Sequence, residues 1–328
     1  MNRDRARGTL LGLAVGDALG TTLEFSTRTV PDFPTMLAGP HRDITGGGPF
    51  GLVAGQVTDD THMACCLAAS LAARAGFEAA DVARRYVEWR EHTFDIGATT
   101  SSAVRRLERG ELDAGRKVWE ESGRRGAANG SLMRAAPIGV FFASDDKRRR
   151  QAALADSALT HFDPRCQLAC AAFTAAIAHE GETVAAAVEL SRASEELAAS
   201  FPELESLILA GAQELRDDLR LATEDDPQLG ALIHTSQGFV RVAFRAAFWE
   251  LEHAPGFAAG LVDVVNRGGD ADTNGAIAGA LLGARHGEAA IPEEWRRQVL
   301  GALQDRPAGA LRDAYHPKVL LAMLEPSQ

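Results

Sequence analysis

Apolar positions recur at the spacing of one face of an α-helix along almost the whole chain, and runs alternating apolar with polar residues are hard to find. This period predicts helices over 64–75, 82–91, 168–179, 183–199, 203–221, 240–251, 257–266, 276–285 and 293–303. Gly76 and Gly181 follow two of them, where a glycine can end a helix in the left-handed conformation. The pattern predicts an all-α fold. Two stretches lack the period: 26–57, rich in Gly and Pro, and Glu120 to Asn129, where charges and glycines precede the apolar run 132–142. Neither break carries a composition shift of the kind that marks a linker, so one domain is expected over 1–328, with the long irregular segment either functional or disordered.

Two of the helical segments carry glycine at every fourth position, Gly8, Gly12, Gly16 and Gly20 near the start and Gly275, Gly279, Gly283 and Gly287 near the end. An interior glycine costs a helix roughly 1 kcal/mol relative to alanine. Two such stripes predict backbones packed at close range, with both helices in the centre of the fold.

Composition narrows the function. Among 328 residues, 34 Lys and Arg face 45 Asp and Glu, a net charge of −11, which disfavours a protein held mainly by nucleic-acid phosphates. The apolar run after the basic N-terminus is short, glycine-broken and followed by Asp17, so it reads as mature protein, and no stretch is long enough to span a membrane. Cys65, Cys66, Cys166 and Cys170 lie in alanine-rich helical pattern without metal-site spacing, as expected of small core residues in a reduced, cytoplasmic protein.

The segment Gly46 to Gly51 formally fits GxGxxG, but no strand precedes it and Pro49 interrupts it, so the dinucleotide reading lacks its context. No P-loop, HExxH or GxSxG motif is present. Two acidic clusters stand out instead. Thr58-Asp59-Asp60-Thr61 precedes one apolar helix, and Gly268-Gly269-Asp270-Ala271-Asp272-Thr273-Asn274-Gly275 opens a glycine-striped one. Each cluster taken separately suits a helix N-terminus, with Thr58 as cap and acids at the positive end of the dipole. Together they suit a second reading. If the glycine-striped helices meet, four aspartates converge, and their repulsion is relieved by a pair of hard cations; oxygen ligands without Cys or His point to Mg²⁺ or Mn²⁺.

These pieces, with Gly16-Asp17-Ala18-Leu19-Gly20, Glu24-Phe25, Asp95-Ile96-Gly97-Ala98-Thr99-Thr100, Asn129-Gly130-Ser131-Leu132-Met133-Arg134 and Leu159-Thr160-His161, resemble the ADP-ribosylglycohydrolase family in order and spacing across nearly the whole chain. Val57 departs from the tryptophan that relatives often carry before TDDT. The resemblance implies a compact all-α fold with a binuclear Mg²⁺ or Mn²⁺ centre held by Thr58, Asp59, Asp60, Asp270, Asp272 and Thr273. It implies catalytic roles for Glu24, Asp95 and Asp60, and binding of ADP-ribose by Asn129, Gly130, Ser131 and His161. Met133 and Arg134 are assigned to scaffold.

The activity implied is hydrolysis of the bond between ADP-ribose and a modified protein side chain, with ADP-ribose as product; the form NGSLMR resembles the arginine-directed bacterial members. Serine, nucleic-acid or small-molecule linkages are the alternatives within the enzyme class. Outside it stands a non-catalytic binding or structural relative, like the J1-type crystallins, against which both acidic clusters are intact.

Overall fold

The computed structural model describes residues 1–26, 39–224, 228–304 and 312–325. Sixteen α-helices are found among them. In chain order they are α1 (Arg3–Gly20), α2 (Asp59–Arg74), α3 (Ala79–Arg90), α4 (Ala98–Leu107), α5 (Ala114–Glu121), α6 (Ala136–Phe141), α7 (Asp146–Thr160) and α8 (Pro164–Ala178). The second half adds α9 (Thr183–Ser200), α10 (Glu205–Thr223), α11 (Gln228–Thr235), α12 (Val240–His253), α13 (Phe257–Asn266), α14 (Ala271–His286), α15 (Glu293–Gly301) and α16 (Lys318–Ala322). No β-strand forms among the described residues; only the isolated bridges Gly47–Leu52 and Ala128–Phe239 pair backbone in that manner. One contiguous apolar core runs through residues of nearly all these helices, and the all-α expectation holds.

The glycine stripes explain the centre. Every residue of α1 from Gly8 to Gly20, and of α14 from Ala271 to Ala284, is buried, as befits helices surrounded by others. They run antiparallel with glycine facing glycine. A Cβ on Gly12 would stand 2.1 Å from the Gly279 carbonyl oxygen, one on Gly16 2.0 Å from that of Gly275, and one on Gly283 2.0 Å from that of Gly8. No side chain larger than hydrogen fits there, so the two backbones touch. This register brings the C-terminal end of α1 beside the N-terminal end of α14.

Helix boundaries depart from the apolar pattern in an instructive way. α2 begins at Asp59, ahead of the expected Ala64, and α14 at Ala271, ahead of Ala276. In both, the first turn is made of the polar acidic clusters, which carry no apolar period. The left-handed stop after α2 falls on Ala75 (φ 51°) rather than Gly76, and α8 spans Pro164–Ala178 rather than 168–179. Several helices, among them the short α4 and α5 and the longer α7, lie outside the expected set; α7 opens with Asp146-Lys147-Arg148-Arg149-Arg150, which hides its apolar face. The described part of the irregular segment, 39–57, has no helix; residues 27–38 lie outside the described residues. The four cysteines are free and buried, and no described helix is long and apolar enough to cross a membrane.

Candidate active site

A cavity of about 330 Å³ opens where the ends of α1 and α14 meet, lined by both acidic clusters, by the segment 95–100 and by the loop 128–133. Its construction starts from Asp17, an aspartate in the otherwise apolar stripe of α1 and fully buried. Asp17 takes over the capping of α2. Its carboxylate accepts from Thr58 N (3.0 Å to each oxygen), Thr61 N (3.2 Å) and Thr61 Oγ1 (2.6 Å). Thr58 occupies the N-cap position, yet its side chain caps nothing: its hydroxyl lies 3.0 Å from both Asp17 Oδ1 and Asp60 Oδ2, with one proton to donate between them. The expectation of Thr58 as a side-chain cap is thus corrected, because a carboxylate from another helix already satisfies the free N–H groups.

The second cluster is fixed from the opposite wall. Asp270 is the N-cap residue of α14 without a side-chain capping bond; instead its Oδ2 accepts from Asn129 Nδ2 at 2.8 Å. Asp272 Oδ1 accepts from Thr273 N at 2.8 Å. Asn129 N donates to the Gly238 carbonyl at 2.9 Å, which ties the loop to the start of α12.

One acid from each cluster, Asp60 and Asp272, comes together with Asp17, while Asp59 and Asp270 line the cavity outside these groups. Carboxylate oxygens of Asp17, Asp60 and Asp272 lie within 4.8 Å of one another, as do those of Glu24, Asp95 and Asp272, so Asp272 belongs to both groups. Burial first, and then their mutual repulsion, push Asp59, Asp60 and Asp272 well above the usual carboxylate range. Burial raises Asp17 to about 6, against the hydrogen bonds from Thr61 and Thr58. It raises Asp95 to about 6, helped by the charges of Asp17 and Asp270, and Glu24 to about 8, helped by Asp95, Asp270 and Asp17.

A group of buried acids in this state fits cations. Asp60 Oδ1 and Glu24 Oε2 are buried with no hydrogen-bond partner, and among the described residues lining the cavity there are five carboxylates and no Lys or Arg. Hard oxygen donors with unmet acceptor capacity are what a divalent ion of the Mg²⁺ or Mn²⁺ type takes.

The remaining wall is neutral. Gly130 packs against His161, and a Cβ at Gly130 would stand 2.9 Å from His161 Cε1 and 3.0 Å from Thr100 Oγ1. The His161 ring is buried, its Nδ1 sits 2.7 Å from Thr160 Oγ1, and burial lowers it to about 3, so it stays uncharged. Asn129, Gly130 and His161 line the cavity as expected; Ser131 does not. Ser131 Oγ instead accepts from Ser157 Oγ at 2.9 Å and from the Cys170 thiol at 3.5 Å. Met133, assigned to scaffold, reaches the cavity wall.

Arg134 is scaffold indeed. Its guanidinium, fully buried, donates to Asp156 Oδ2 (3.0 Å), to the Asp156 carbonyl (2.9 Å) and to the Gly130 carbonyl (3.3 Å), and lies 4.5 Å from the Tyr86 ring centroid. Tyr86 in turn donates to Asp156 Oδ1 at 2.8 Å. The sequence motifs assign Asp17 no role, although a lone acid inside a buried apolar helix is itself a signal; Asp156 and Tyr86 carry no signal that separates them from surface residues.

Comparison with known proteins agrees with this site. The ADP-ribosylglycohydrolase family model matches residues 1–320. The chain is 33% identical to the ADP-ribosylarginine hydrolase Tri1 of Pseudomonas putida (strain GB-1), covering 90% of this chain and 74% of that one. It is 31% identical to the ADP-ribosyl-[dinitrogen reductase] glycohydrolase of Rhodospirillum rubrum, covering 89% of each. A solved ADP-ribosylglycohydrolase-related protein complex superposes with a TM-score of 0.65 at 28% identity, covering 98% of this chain and 96% of that one. Buried carboxylates at the junction of two glycine-striped helices, in a chain matched over nearly its full length, leave one assignment: the protein belongs to the ADP-ribosylglycohydrolase family of hydrolases.

Proposed function

We propose that this enzyme releases ADP-ribose from ADP-ribosylated arginine side chains of proteins, with residues 1–328 acting as a single catalytic domain. The observation that carries this reading is the convergence of Glu24, Asp95 and Asp272 beside a second triad containing Asp60 and Asp272, with two oxygens left unbonded. The names of the two relatives above, one an arginine hydrolase, support the linkage.

Thr58, Asp59, Asp60, Asp270, Asp272 and Thr273 would hold two divalent cations, Mg²⁺ or Mn²⁺. Bound there, the pair would supply Lewis acidity toward the ribose hydroxyls and a lower pKa for a water. The chain's own groups do the rest. Asp59, Asp60, Asp270 and Asp272 supply the negative charge, with Asp60 at the contact between the two clusters. Asn129 orients Asp270, and the Asn129–Gly130 backbone, kept open by the missing Cβ, accepts the pyrophosphate side of the substrate beside neutral His161. Glu24 and Asp95 exchange protons with the departing guanidine nitrogen and the water; Glu24 Oε2, buried and unbonded, is free to accept one.

The test is release of ADP-ribose from ADP-ribosyl-arginine, run beside the serine conjugate, with Mg²⁺, Mn²⁺ or EDTA. Metal-dependent release from the arginine conjugate is expected. Release from the serine conjugate only would change the linkage, and binding of ADP-ribose without release from either would make the chain a binding protein.

A further inference from the structure

Phe25 is the one aromatic ring other than the His161 imidazole that lines the cavity among its described residues, and it is 58% exposed. Its backbone stands at φ 56°, in the left-handed region where a phenylalanine is strained. Two features hold it there. Phe25 N donates to the Gly269 carbonyl at 2.7 Å, and Gly269 N donates to the Ser26 carbonyl at 3.1 Å. The clamp joins Phe25 to the residue before Asp270, so the ring is fixed relative to the carboxylates. This clamp sustains the strained backbone, and the exposed ring lines an acidic cavity with no Lys or Arg among its described lining residues.

We propose that Phe25 is the platform on which the leaving side chain rests, selecting a planar cation over an uncharged alcohol. The inference deepens the arginine reading above and rests on it. An exposed aromatic face beside the Glu24, Asp95 and Asp272 carboxylates is a cation-recognition surface: the ring's negative face attracts a guanidinium, the acids add to the attraction, and a flat ion stacks where a hydroxyl-linked residue does not. Glu24 is the adjoining residue, so a guanidine on the ring sits beside the group assigned to exchange protons with it. Phe25 acts here as a specificity determinant and takes no part in bond making.

The experiment compares wild type, Phe25→Ala, Phe25→Trp and Phe25→Gly on ADP-ribosyl-arginine and ADP-ribosyl-serine, with free ADP-ribose binding measured by calorimetry. Phe25→Ala is expected to raise KM for the arginine conjugate roughly three- to thirtyfold, with kcat and ADP-ribose affinity within about twofold and activity on the serine conjugate, if any, unchanged. Phe25→Trp should retain the wild-type KM. Phe25→Gly removes the ring while relieving the strained φ, so it should fold at least as well as wild type and show the same rise in KM. An equal loss of ADP-ribose affinity would put the ring under the nucleotide and overturn the proposal. Unchanged KM in the glycine variant, or the same loss on both conjugates, would overturn it too. Failure of the wild-type enzyme to cleave the arginine conjugate strikes the underlying reading instead, and shows itself before any variant is made.

Discussion

The loop 129–134 touches two buried polar regions that are built by opposite rules. Around Arg134, one guanidinium meets one carboxylate, Asp156, and Tyr86 completes the acceptor's shell. Around Asp270, acids gather with Thr and Asn donors but with no Lys or Arg among the described residues that line the cavity. The first region is finished by the chain itself. The second carries unmet acceptors and carboxylates raised by burial and by each other. Equal burial therefore means a compensated pair in one place and an uncompensated acidic cluster in the other, and the presence of a counter-charge is what separates them.

The largest effect expected from breaking this contrast is on turnover. Asp270→Asn with Asp272→Asn should cost on the order of a thousandfold or more in release of ADP-ribose and abolish Mn²⁺ binding by calorimetry, with helical circular dichroism retained. Full activity in that double variant would remove the site. Arg134→Met removes no group from the cavity lining but leaves Asp156 buried and uncompensated, so urea unfolding should report a loss of about 3–5 kcal/mol. Asp17→Asn occupies the middle ground. It loses one carboxylate acceptor for the Thr58 and Thr61 donors, loosening the first cluster, and Mn²⁺ affinity should fall about ten- to a hundredfold, with a smaller change in thermal midpoint.

The smallest effect concerns pH without metal. Folded-state values of about 6 for Asp17 and Asp95 and about 8 for Glu24 lie above their unfolded values. Protonation therefore favours the fold: this contribution is complete below about pH 4 and is lost as pH rises through 6 and then 8. In EDTA the thermal midpoint of wild type should decline from about pH 5 to 9, and Asp60→Asn, with one charge fewer in the group, should decline less and melt higher at pH 8 by about 1 kcal/mol of stability. A flat profile in both would mean that the acids are not crowded in solution.

Much of this arrangement was legible before the structure. The glycine stripes announced a central helix pair because an interior glycine is costly unless a neighbouring backbone needs the space, and the seam of Gly8 to Gly20 against Ala271 to Gly283 answers that need. The acid clusters were legible because carboxylates ahead of two apolar helices have few uses. Ser131 was not, since Asn129, Gly130 and Met133 beside it line the cavity and only the packing of Ser157 and Cys170 turns its hydroxyl away. Nor was the strain at Phe25: no local pattern reveals that a residue two positions beyond a helical turn will be pinned to Gly269, far along the chain.

The seam between α1 and α14 also sets the order in which the molecule can be completed. The Arg7–Glu288 ion pair at its edge joins residues 281 positions apart, so the seam joins parts of the chain far apart in sequence. During synthesis at roughly 5–20 residues per second, α1 waits tens of seconds for the helix that covers its glycine face, and loop-closure entropy must be met before that contact rewards it. Asp17 and Glu24 arrive on one side of the seam and Asp270 and Asp272 on the other. Closing the core and assembling the acidic centre are therefore one late event, and a chain that stalls before it has neither.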